Sequence, residues 1–165
     1  MENAPPAVTP DIPDLAFTLD NGVKVFHLIA EPVKQPVIPG RVLDLWGFNG
    51  SAPGPTIHAN QGDRVRIVFE NHLPEPTGIH WHGLEIPNDM DGVPGIGQKP
   101  VMPGEKFAYE FTLHQDGTYY SGGAFPEVAG AVSCRFAETG RQYTYRDRAG
   151  GYLARLLGAG GMYVR

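Results

Sequence analysis

The chain contains one cysteine, Cys134, in 165 residues. A single thiol excludes an intrachain disulfide framework. No apolar run is long enough to span a bilayer, which excludes a membrane-spanning helix. Basic residues are scarce, 13 Lys+Arg against 18 Asp+Glu, for a net charge of −5. That balance argues against a nucleic-acid partner, because binding a phosphate backbone calls for a basic surface. Histidine does not occur after His114, nor lysine after Lys106. Met1 to Pro13 is polar and Pro-rich, with no apolar signal-peptide core. The expectation is a protein that stays inside the cell, or one from which an export signal has been removed.

What the chain has in quantity is glycine (22) and proline (16), with an ordinary hydrophobic fraction of 41%. Such a composition favours short strands and many turns over long helices. The length suits one domain with a sizeable core. Residues 1–13 read as a flexible arm and residues 14–120 as the domain. Strand composition appears over Val23–Ile29, after an Asn21-Gly22 turn, and again over Val42–Phe48. Arg64–Glu70 and Phe107–Leu113 alternate polar and apolar residues, as half-buried strands do. The class predicted is all-β, a β-sandwich. No internal repeat is present.

The most informative stretch is Gly78-Ile79-His80-Trp81-His82-Gly83-Leu84, followed by Glu85-Ile86-Pro87-Asn88-Asp89-Met90-Asp91-Gly92. In an extended strand, residues i and i+2 point to the same face. His80 and His82 therefore present two imidazoles on one side, and imidazole suits copper, zinc and iron. The alternative is a pair of polar residues on a solvated strand face.

The surrounding residues carry a resemblance. Ala52-Pro53-Gly54-Pro55-Thr56-Ile57, Gly62-Asp63-Arg64-Val65, Asn71-His72-Leu73, the His-Trp-His segment and Gly117-Thr118-Tyr119 occur in one order. This set, over residues 52–119, resembles the N-terminal cupredoxin domain of the laccase-like multicopper oxidases. The resemblance implies a cupredoxin-like Greek-key β-sandwich, copper as cofactor, and a secreted or periplasmic location. It implies oxidation of phenolic, aromatic or metal-ion substrates coupled to reduction of dioxygen to water. In that family a trinuclear copper site takes eight histidines, as four His-x-His pairs from the first and last cupredoxin domains. A mononuclear copper in the last domain accepts the substrate's electrons. By resemblance His80 binds the type 2 copper and His82 a type 3 copper. Asp89 and Asp91 fall beside the copper cluster, where carboxylates relay protons or orient ligand imidazoles. A polar turn at Asp91-Gly92 explains them equally well.

The chain departs from the family after Gly117-Thr118-Tyr119. The family continues into an aromatic residue and a second His-x-His; here Tyr120-Ser121-Gly122-Gly123 follow. From Ser121 onward the basic residues are all arginine, within a Gly- and Ala-rich tail. Two readings of 121–165 stand open. One is a shifted reading frame of GC-rich DNA, which composition favours. The other is a divergent ending in which Val132, Cys134 and Phe136 of segment 131–136 face the core as a closing strand. Gly151–Gly158 has the pattern of a short amphipathic helix. A replaced closing strand would leave an exposed edge, hence a poorly soluble or oligomeric protein.

The remaining candidates read as structural. His58, His72 and His114 are expected at the surface or at strand ends, and His27 as a satisfied structural histidine. Met90 and Met102 could be read as soft copper ligands, but a packing or loop role is expected of them. Cys134 is followed by Arg135-Phe136-Ala137, without the histidine that a blue-copper site needs beside its thiolate. It reads as a buried thiol. Three functions follow. The first is a copper-binding domain of a laccase-like oxidase, inactive alone, with further cupredoxin domains or copies of itself as partners. The second is an autonomous copper-holding or electron-transfer module. The third is a structural or assembly domain with relic histidines.

Overall fold

Alternating burial along the central strands explains the architecture. The computed structural model describes residues 12–124 and 160–164. Its strands are β1 (Phe17–Asp20), β2 (Val23–Ile38), β3 (Arg41–Phe48), β4 (Ile57–Ala59), β5 (Arg64–Asn71), β6 (Gly78–His82), β7 (Lys106–Thr112), β8 (Gly117–Ala124) and β9 (Gly160–Val164). In β5, Val65, Ile67, Phe69 and Asn71 are buried while the residues between them are not. Tyr109 and Phe111 do the same in β7. Outward charges on these strands pair across the sheet: Arg66 with Asp20 and Glu110, and Lys106 with Glu70.

The strands form two sheets. One runs β1-β2-β5-β7, with β3 also paired to β2; the other runs β4-β9-β8-β6. Their inner faces share one core, which joins Phe26, Ile67, Phe69 and Tyr109 of the first sheet to Ile57, Ile79, Trp81 and Met162 of the second. Trp81 packs edge-on against Tyr109 and Phe111, each at 5.6 Å between ring centroids. The fold is the all-β sandwich expected. No helix among the described residues is long and apolar enough to cross a membrane.

Two differences from the sequence reading have physical causes. β2 runs to Ile38, nine residues past Ile29, through Pro32 and Pro36. Proline usually ends a strand because it cannot donate to a neighbour. Here β5 pairs β2 only as far as Ala30, and beyond that β3 is its partner. With one edge open, the missing N–H groups cost nothing. Segments 131–136 and 151–158, expected as a strand and a helix, lie outside the described residues, as does Cys134. The strand found between β4 and β8 is β9, parallel to β4 and antiparallel to β8, with Met162 fully buried.

The turn into β6 is held by Asn71. Its buried side chain donates to the Glu75 and Val101 carbonyls and accepts from the Leu73 N–H. All its polar capacity within the core is used, so the loop before β6 has a defined path.

Candidate metal centre

β6 is the last strand of its sheet. Ile79 and Trp81 turn into the core and are almost completely buried, so period-two alternation puts His80 and His82 together on the other face. The two half-buried rings lie 4.5 Å apart, edge to face at 73°. The sequence reading placed them on one side, and the structure brings them into contact.

Asp91 fixes the first ring. His80 Nδ1 lies 2.9 Å from the Asp91 carbonyl oxygen and 3.1 Å from its carboxylate Oδ1. A carbonyl oxygen only accepts, so Nδ1 carries the proton and Nε2 keeps its lone pair. This is the tautomer a metal ligand needs. The chain reaches this position because Gly92 (φ +78°) runs against β6, where any Cβ would collide with the Ile79 carbonyl. What the sequence offered as a turn pair, Asp91-Gly92, is also a close backbone crossing that delivers Asp91 to His80. Asp89 is exposed on the 3-10 turn Asn88–Met90.

Burial, then the electrostatic influence of neighbouring His80, hold the His82 imidazole below its ordinary value against the pull of Asp91. The ring therefore gives up its proton, as a metal ligand must, more readily than an ordinary imidazole. The donor set fits copper as two imidazole ligands of a larger site. Among the described residues no group of three or more His, Cys, Asp or Glu is placed to hold one metal ion. Across the sheet, β8 sets Gly122 opposite His80 and Tyr120 opposite His82. Directly opposed residues share a face, so the register position facing His80 has no side chain.

The other candidates sit elsewhere. His58 is half-buried on β4, 2.9 Å from Asp14. His72 and His114 are exposed, as expected. His27 differs: it lies on the outward face of β2 and is exposed, because Phe26 and Leu28 take the core positions on either side. Met90 packs against the core and its sulfur accepts from the Glu110 N–H at 3.4 Å. Met102 is exposed. Two supports of β6 left no local signal in the sequence. The Tyr109 hydroxyl accepts from the Ile79 N–H at 2.8 Å, and Gln115 bonds the turn after His82. Both are thirty or more residues from their targets, too far for any pattern along the chain to register.

The family profile described as multicopper oxidase matches residues 33–133, a wider span than 52–119. The chain is 37% identical over 131 residues to Laccase-1 of Cryptococcus neoformans var. neoformans serotype D (strain B-3501A), covering 72% of this chain and 21% of that protein. It is 40% identical over 100 residues to copper resistance protein A of Pseudomonas syringae pv. tomato, covering 59% of this chain and 16% of that protein. The crystal structure of a multi-copper oxidase from Pseudomonas Thermotolerans superposes with a TM-score of 0.66 at 36% identity, over 87% of this chain and 29% of that one. The chain thus spans about a fifth of the length of these curated relatives. A cupredoxin sandwich with a paired-histidine edge strand and a family match over most of its length leads to one conclusion: the chain belongs to the multicopper oxidase family, whose cofactor is copper.

Proposed function

We propose that this chain is a copper-binding domain of a laccase-like oxidase, with His80 and His82 as the ligands it contributes. The observation that carries the proposal is the Asp91 lock on His80 Nδ1, which frees Nε2 on the face that His82 shares. Copper in this family passes electrons from an oxidisable substrate to dioxygen. This chain's part is to hold and orient imidazoles. Asp91 sets the His80 tautomer, and Trp81, wedged into the core between the two histidines, fixes the spacing of their rings. Asp89 is exposed on its turn and takes no part in the proposal.

The site is one part of a larger centre. The whole chain has six histidines, fewer than the eight that the family's trinuclear centre takes. The remaining ligands come from further cupredoxin domains, and phenolic, aromatic or metal-ion compounds are the substrates of the assembled oxidase. The glycine opposite His80 favours copper holding over turnover for this chain by itself.

The test is equilibrium dialysis of the protein against Cu(II), with metal content read by mass spectrometry. The expected result is about one copper per chain, lost in a His80→Ala/His82→Ala variant that keeps the native circular dichroism. Equal copper in the two proteins, or none in either, would sink the assignment.

A further inference from the structure

Gln115 lies in the loop between β7 and β8, yet both ends of its amide are spent on the turn that leaves the histidine strand. Its Oε1 accepts from the Glu85 N–H at 2.6 Å, and its Nε2 donates to the Gly83 carbonyl at 3.2 Å. Gly83 adopts φ +83°, and the Tyr119 ring lies over it, within van der Waals reach of where a Cβ would stand. The Tyr119 hydroxyl in turn donates to the Asp116 carbonyl at 2.8 Å, closing the same loop. The loop is anchored at its start too, since the Leu113 N–H donates to the Asp63 carbonyl and Gln61 Nε2 to the His114 carbonyl.

The two histidines are therefore held by different means. His80 is fixed through its side chain by Asp91. His82 is the last residue of β6, and its backbone is followed at once by a left-handed turn that no ladder bond to β8 continues. We infer that Gln115 is a positioning residue for His82, fixing the imidazole through the backbone of Gly83 and Glu85. The inference rests on the reading of His82 as a copper ligand, but its first readout needs no metal.

The experiment compares wild type with Gln115→Ala and Gln115→Met; methionine keeps the length of the side chain and removes both hydrogen bonds. In metal-free protein, the ring carbon–proton signals of His80 and His82 are assigned by single substitution and followed by NMR. Both variants should move the His82 signals and leave those of His80 in place. Cu(II) affinity, by titration, should fall about tenfold, the usual effect of losing a residue that orients a ligand. If both variants leave the His82 signals unmoved, the inference is wrong. It is also wrong if both rings shift together with a lowered melting temperature, since Gln115 then only holds the loop closed. Failure of the wild type to bind copper through His80 and His82 would overturn the proposed function instead, while the ring signals would still decide the role of Gln115.

Discussion

At the scale of single residues, the two imidazoles are neighbours with unequal surroundings. His80 has a carbonyl and a carboxylate on Nδ1. His82 has burial, and after it the electrostatic influence of neighbouring His80, working against its protonation, with Asp91 pulling the other way. Its folded-state value therefore lies below the ordinary imidazole value of about 6.5. The unfolded chain takes up that proton first. Stability tied to His82 is intact above about pH 6.5 and is lost as pH falls through that value toward the lower folded one. The expected observation is an NMR titration in which the His82 ring has its midpoint below 6.5. Replacing His80 with alanine removes the second cause and should move the midpoint back up. A midpoint at or above the ordinary value in wild type would show that the ring is not buried in solution. A proton therefore competes less well with a metal for His82 than for an ordinary imidazole.

At the scale of elements, legibility in the sequence followed the range of the interactions. β5 and β7 were legible because alternation is written into consecutive residues, and β6 because His80 and His82 sit two apart. β2 was legible only to Ile29: Pro32 and Pro36 look like strand breakers until β5 is seen to have left that edge. β4, three residues long, and β9, whose own five residues begin with two glycines, exist through their partners and not through their own patterns. The support of β6 is likewise non-local. Tyr109, on the opposite sheet, gives the buried Ile79 N–H its acceptor. Burial pushes the phenol up to about 12, although the Ile79 and Gln98 hydrogen bonds pull the other way, so it remains a neutral hydroxyl at any working pH. Tyr109→Phe keeps the ring against Trp81 and Phe69 and removes only the oxygen. The stranded N–H should cost about 1–3 kcal/mol, measured as a lower urea midpoint with an unchanged slope. An unchanged midpoint would mean that the hydroxyl does not support this edge.

At the scale of the whole molecule, the question is what one domain with one histidine pair does without the rest of a centre. The half-buried imidazoles are preorganised by Asp91, Trp81 and the close passage of Gly92, so the half-site needs no partner to exist. Turnover is different. Copper held by two imidazoles has most of its coordination open to water and exchanges readily, and β8 adds no side chain opposite His80. Self-association does not repair this. Three copies would bring six histidines from the His80/His82 strand, still short of the family's eight, and no mononuclear copper to receive a substrate's electrons. The copper-loaded chain should therefore consume no dioxygen above the rate of free Cu(II), with phenolic or diammonium dyes as donors and an oxygen electrode as the readout. Oxygen uptake by wild type that disappears in His80→Ala would refute the partial-centre view. It would require a complete set of ligands within this chain or its oligomer, which the His80/His82 strands of three copies, six histidines in all, do not supply.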